Sequence, residues 1–331
     1  LTKLRWLGLV ALALLLAGAM SYQWLERQWS ASLPVDEPQL ITVAKGEYAD
    51  AILGRLKNKQ WLPRPWMAKI WLRLNPKQAQ IKAGTYEVTP GMSLKDLFVR
   101  LAAGDEKQFA ITLVEGLQWR QWRESLLADS RLNSQGFNEQ QLIAQLSLQG
   151  DSLEGQLMPD TYHFTHGTSV TDLVLRAYER MQAYLNTQWQ QRQVGLPLES
   201  PYQALILASI VEKETALAEE RPLIAGVFIN RLRRNMRLQT DPTVIYGMGE
   251  AFDGNIRRAD LRRKTPYNTY VIKGLPPTPI AMVGREAVDA SLHPADTQAL
   301  YFVSRNDGSH VFSTTLADHN AAVRKYQLNQ E

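Results

Sequence analysis

Apolar positions along this chain follow three regimes. The first is a nearly unbroken run from Trp6 to Met20, with Lys3 and Arg5 before it and Tyr22, Trp24 and Trp29 after it. The second is strand-like alternation ending in a glycine. It occurs at 41–46 (Ile-Thr-Val-Ala-Lys-Gly), 86–91 (Tyr-Glu-Val-Thr-Pro-Gly) and 111–116 (Ile-Thr-Leu-Val-Glu-Gly). Each glycine opens onto helical spacing: Ile52, Leu53 and Leu56; Leu94, Leu97, Phe98 and Leu101; Trp119, Trp122 and Leu126. Glycine permits the backbone angles of a tight strand-to-helix turn. Three strand-glycine-helix units are therefore expected, either as ordinary packing or as a shared small βα module.

The third regime is helical periodicity over longer stretches. Leu142, Ile143 and Leu146 mark a helix in the Gln-rich stretch 134–150, and 170–194 reads as a long amphipathic helix. Ser200 can cap a helix whose first position is Pro201, and that helix runs through an almost wholly apolar segment into Glu212 and Glu214. A further helix is expected over 221–234. Residues 30–38 are a polar, Pro-bearing linker, and 155–164 is a compact turn region around Pro159. Residues 239–279, rich in Gly, Pro, Asn and Tyr, read as long cleft-building loops. A closing strand pair, 300–303 with 310–312, flanks the turn signal Asp307-Gly308.

The N-terminal run allows two readings. Ala17-Gly18-Ala19 has the form of a signal-peptide cleavage site. Retained, the run with its flanking aromatics has the length and interfacial anchors of one membrane span. The retained anchor is the expectation. Lys3 and Arg5 would keep the N-terminus cytoplasmic, with everything after Trp29 outside. At 331 residues the chain has room for two domains. A formal net charge of +4 lacks the basic excess of a dedicated nucleic-acid binder. The absence of cysteine excludes disulfides, a thiol nucleophile and a cysteine zinc site.

The segment 204–215 is the first place to look for chemistry. An acid at the end of a buried helix is drawn into a dry environment, which raises its pKa, as a general acid requires. Glu214 lies on the helix face of Leu207, Ile210 and Val211, Glu212 on that of Leu205, Ala208 and Ser209, so Glu214 has the more apolar surround. The helix dipole disfavours acids at this end, whereas an ordinary solvated helix terminus is the plain alternative. Ser209 and Lys213 stand four apart, not the three of a Ser/Lys nucleophile pair. The five histidines form no metal-binding spacing, although His310, beside the hairpin turn, is placed to donate to a substrate. Asn230, Gln239, Thr240, Asp241, Tyr267, Asn268 and Tyr270 supply the amides, carboxylate, hydroxyls and aromatic rings of a sugar-binding groove. The same types also build Pro/Gly-rich structural loops.

At these residues the chain resembles the YceG-like family, the endolytic murein transglycosylases of bacterial inner membranes. The matching motifs are Glu154-Gly155-Gln156-Leu157-Met158-Pro159-Asp160-Thr161-Tyr162, Ala208-Ser209-Ile210-Val211-Glu212-Lys213-Glu214-Thr215, Val227-Phe228-Ile229-Asn230-Arg231-Leu232, 238–246, 266–270 and 274–280, with His310-Val311-Phe312 and Asp318-His319-Asn320 later. One departure is Met282-Val283-Gly284, where the family has a proline before the glycine; a looser loop is expected there. The resemblance implies an α+β fold: a cytoplasmic tip and transmembrane anchor (1–29), a linker (30–38), a LysM-like subdomain region (39–130) and a mixed α+β catalytic domain (131–331). It implies Glu214 as the catalytic acid and base, acting without cofactor or metal. The implied substrate is the MurNAc-GlcNAc bond of peptidoglycan glycan strands, and the product a 1,6-anhydro end. Cell-wall synthases and membrane lipid are the implied partners, and nucleic acid is not. A glycan-binding scaffold and a muramidase using Asp241, Glu212 or Glu220 as second carboxylate are the alternatives.

Overall fold

In the computed structural model, which describes residues 2–328, the apolar run forms one helix, α1 (Thr2–Trp29). It is the one described helix long and apolar enough to cross a membrane, over Arg5–Trp29, and none of its apolar window is buried. Leu1 and 329–331, at the ends of the first and last expected segments, lie outside the described residues.

The glycine-terminated strands form as read. Strand β1 (Gln39–Val43) leads to helices α2 (Ala49–Asn58) and α3 (Pro65–Leu74). Then come β2 (Gly84–Val88), α4 (Leu94–Ala103), β3 (Phe109–Leu113), α5 (Trp119–Ala128) and α6 (Glu139–Leu146). A fourth copy, not foreseen, follows as β4 (Asp160–Phe164), Gly167 and α7 (Val170–Gln190). The turn glycines Gly46, Gly91, Gly116 and Gly167 all have φ between 74° and 83°, a region that disfavours any residue with a Cβ. Strand β1 pairs antiparallel with β2, Ile41 opposite Tyr86, and β3 pairs with β4.

The chain divides into two compact units. The first comprises Leu1–Phe109 and His163–Gly167. Its core gathers alternate strand positions (Ile41, Val43, Tyr86, Val88) and the helical positions predicted for α2 and α4. Trp29, at the end of α1, is buried against Trp71 and Phe98, with ring centroids 5.9 and 5.2 Å away.

The second unit comprises Ala110–Tyr162 and Thr168–Glu331. It contains α8 (Pro201–Glu214), α9 (Arg221–Arg233), α10 (Asp241–Met248), α11 (Arg285–Leu292), β5 (Tyr301–Ser304), β6 (His310–Ser313) and α12 (Leu316–Gln327). Ser200 caps α8 by accepting from the Gln203 amide (3.3 Å). Every residue from Ala204 to Val211 is buried, because α7, α9, α10 and α11 surround the helix. Strands β5 and β6 form the expected hairpin, Val303 opposite Val311.

Two expectations change besides that of a turn over 155–164, where β4 forms. Residues 239–279 are not all loop: α10 starts at Asp241 with Pro242 in its first turn, the proline acting as a helix-start signal rather than a breaker. The loop at Met282 is not loose. Met282 donates to the Leu117 carbonyl (2.7 Å) and accepts from the Gly116 amide (2.8 Å), and Val283 is fully buried. Backbone pairing holds this segment without the proline.

Candidate active site

Helix α8 delivers Glu214 to the floor of a cleft of about 570 Å³ in the second unit. Its walls come from α9 (Arg231), the segment entering α10 (Gln239, Thr240, Asp241), Tyr270, the β5–β6 hairpin (Tyr301, His310) and α12 (His319, Asn320). Glu214 also lines a second hollow of about 480 Å³, with Glu115, Lys213 and Thr215 among its other walls. The acid thus faces open space on two sides.

Half-buried there, the Glu214 carboxyl is pushed up to about 7, chiefly by desolvation, with the Asp241 charge adding to the rise. Acting against this are a hydrogen bond in which the Thr240 hydroxyl donates to Glu214 Oε1, and the neighbouring His310 and Arg231. Thr240 is itself buried, and its amide donates to Thr269 Oγ1 (3.1 Å), which fixes the hydroxyl. Asp241 accepts from the Tyr270 hydroxyl at 2.7 Å.

The structure therefore brings Glu214, Gln239, Thr240, Asp241 and Tyr270 together on one cleft. It places three other expected groove residues elsewhere. Asn230 Nδ2 donates to the carbonyls of Thr297 (2.7 Å) and Ala299 (3.1 Å), tying α9 to the segment before β5. Asn268 is buried and donates to the carbonyls of Asp260 (3.0 Å), Leu261 (3.2 Å) and Arg263 (2.7 Å). Tyr267 packs on Tyr246 (4.9 Å between centroids) and shares a hydrogen bond with Thr278 (2.8 Å). These contacts hold backbone and side chains of the protein in place.

Two more residues stand out: Arg231, absent from the expected set, and His310, expected as a donor to substrate. Arg231 is buried yet lines the cleft. Its Nε donates to the Leu300 carbonyl (2.6 Å) and its Nη1 to the Leu238 carbonyl (2.7 Å), which fixes the guanidinium in the wall. An arginine inside the apolar run of α9 was the available signal, since burying that charge requires partners. His310 is oriented by Glu220: its Nδ1–H donates to Glu220 Oε2 (2.6 Å) and its amide to Oε1 (2.8 Å). Nδ1 must carry the proton to face a carboxylate, leaving Nε2 unprotonated in the neutral ring.

Other titratable candidates have structural partners. Glu212 is also raised by burial, but it accepts from the Gly284 amide (3.0 Å) and lies 3.7 Å from Arg221. Ser209 donates to the Ile206 carbonyl (2.7 Å) while Lys213 donates to that of Gly116 (3.0 Å), so they form no nucleophile pair. Glu154, unremarked as a titrating group in the sequence, is buried and pushed up to about 7 by desolvation. It accepts from the Trp119 amide (3.0 Å) and the Tyr246 hydroxyl (3.3 Å) and does not line the cleft. No group of three or more histidines and carboxylates suited to a metal ion occurs among the described residues.

A carboxyl raised to about 7 in a polar cleft has the chemistry that a general acid/base requires. Residues 41–325 match the YceG-like family, and the chain belongs to that family. It is 31% identical to the endolytic murein transglycosylase of Bacillus subtilis (strain 168), the match covering 86% of this chain and 84% of that protein. It is 29% identical to the endolytic murein transglycosylase of Streptococcus pneumoniae serotype 2 (strain D39), over 96% of this chain and 64% of that longer protein. A crystal structure of a putative YceG-like protein from Listeria monocytogenes superposes with a TM-score of 0.53 at 27% identity, covering 87% of this chain and all of that one.

Proposed function

We propose that this protein is an endolytic murein transglycosylase that cleaves the MurNAc-GlcNAc bond inside peptidoglycan glycan strands, with Glu214 as its one acid/base residue. The observation that carries the reading is the placement of Glu214: a carboxyl raised to about 7 that lines two hollows. In this reading the scissile linkage lies over the acid and the strand extends into the hollows beside it.

Glu214 donates its proton to the glycosidic oxygen, and positive charge develops at C1 of the muramic residue. The carboxylate left behind is stabilised by the Thr240 hydroxyl and by Arg231 and His310 nearby. It then takes the proton of the C6 hydroxyl as that oxygen attacks C1, closing the 1,6-anhydro ring. The intramolecular hydroxyl replaces the water that a second carboxylate would activate in a hydrolase. Gln239, Asp241 and Tyr270 are the substrate contacts within reach.

The finer parts of the reading are α1 as a retained single-pass anchor with a cytoplasmic N-terminus, the enzymatic unit outside, and synthases as neighbours in the wall. A LysM-like role for the region 39–130 belongs here too, supported by its strand pair β1–β2 with α2 and α3 between the strands. Asp241, in the same cleft, favours a hydrolytic second reading. Mass spectrometry of glycan strands digested by the full-length protein tests both. Anhydro ends support the transglycosylase, reducing ends the hydrolase, and unchanged strands refute both.

A further inference from the structure

Helix α3 carries an apolar face that the chain leaves uncovered. Trp66, Ile70 and Leu74 are 51%, 38% and 59% exposed, and their spacing of four places them along one side of the helix. Met67, Ala68, Trp71 and Leu72 face the core instead. Beside the exposed stripe run Arg73 and Lys69, the latter paired with Asp50 (3.3 Å), with Arg64 just before the helix and Lys77 just after it, all four cations exposed. A helix outside a membrane normally turns charged or small residues outward. A tryptophan-led apolar stripe bordered by cations is the composition of an interfacial helix, whose long basic side chains reach from an apolar bed to charged headgroups.

The position of α3 says what covers it. Tyr22 of α1 lies against Trp71 (5.5 Å between centroids), and Trp24 lies near Trp66 (6.5 Å). These aromatics stand at the end of the apolar run, where a spanning helix emerges into the headgroup region. The aromatic end of α1 therefore adjoins the exposed face of α3 at Trp66. The cations also argue against a second copy of the chain as occupant, since two such faces would bring like charges together.

We infer that α3 lies in the bilayer surface, with Trp66, Ile70 and Leu74 in the headgroup–acyl boundary and Arg64, Lys69, Arg73 and Lys77 on anionic headgroups. This rests on the reading of α1 as a membrane anchor. The first unit would then be held to the membrane at two places.

The chain has no cysteine, so single cysteines can carry an environment-sensitive dye. Full-length I70C, L74C, L12C and V194C are reconstituted into vesicles of phosphatidylglycerol and phosphatidylethanolamine. Leu12 sits within α1, and Val194, 94% exposed, lies in the second unit. The expected result is a blue shift and quenching by nitroxide-labelled lipid at positions 12, 70 and 74, but not at 194. Quenching at 12, with 70 and 74 open to aqueous iodide, overturns the interfacial helix and leaves the anchor intact. No lipid quenching at 12 overturns the anchor itself. A shift at 70 and 74 that disappears when the protein is diluted in lipid identifies a second copy and also overturns the inference.

Discussion

Replacing Glu214 by glutamine should make the protein more stable while removing its activity. The carboxyl rises from an ordinary value of 4.5 to about 7 in the folded protein because burial penalises its charge. Below about pH 4.5 the acid is protonated in both the folded and the unfolded chain, and its titration contributes no difference. Between 4.5 and about 7 the unfolded chain releases the proton and the folded one retains it, so stability falls as pH rises. At about 1.4 kcal/mol per pH unit the full loss is about 3 kcal/mol, complete above neutrality. Glutamine has nearly the same shape, can accept the Thr240 hydroxyl, and does not titrate. The variant should therefore match the parent near pH 4.5 and exceed it by about 3 kcal/mol near pH 8, read from urea unfolding of both proteins in the same detergent. Glu154, also raised by burial, titrates in both proteins and cancels in the difference. Turnover of glycan strands should drop by about a thousandfold or more. Equal stability of variant and parent at both pH values would show that Glu214 is not desolvated, and full retained activity would show that it is not the acid.

Activity of the parent should fall above about pH 7, as Glu214 loses its proton; a pH–rate profile flat to about pH 9 would contradict this. Thr240→Val removes the hydroxyl donor that favours the carboxylate form, so the alkaline limb of that profile should move upward by about one pH unit while kcat falls. Arg231→Lys removes the fork that serves the Leu300 and Leu238 carbonyls and should cost about 2–3 kcal/mol in unfolding measurements. Asn268→Ala should cost about 1–3 kcal/mol and lower Tm, because a buried amide and the carbonyls of Asp260, Leu261 and Arg263 lose their hydrogen bonds; a raised KM at unchanged Tm would instead make Asn268 a glycan contact.

The acid at the end of α8 was legible in the sequence; what sets Glu214 apart from Glu212 was not. Helix face does not separate the two, because the residues from Ala204 to Val211 are buried all round and both acids inherit an apolar surround. Their partners separate them. Glu212 receives the Gly284 amide and Arg221, while Glu214 receives the Thr240 hydroxyl and faces the cleft. Asn230 and Asn268 had the chemistry of groove residues, but nothing local shows whether an amide turns toward a ligand or toward the chain's own carbonyls.

Local pattern by itself determined the apolar α1, the strand-glycine-helix units, the Ser200 cap and the Asp307-Gly308 hairpin, because periodicity, capping and positive φ act between residues a few positions apart. The cleft was decided by tertiary structure alone. Arg231, Tyr270, His310 and His319 line the Glu214 cleft from four separate segments, and the pairing of His310 with Glu220 spans ninety positions. Short-range preferences set which segments become helix or strand; which side chains meet depends on how those segments pack, and packing is a property of the whole unit.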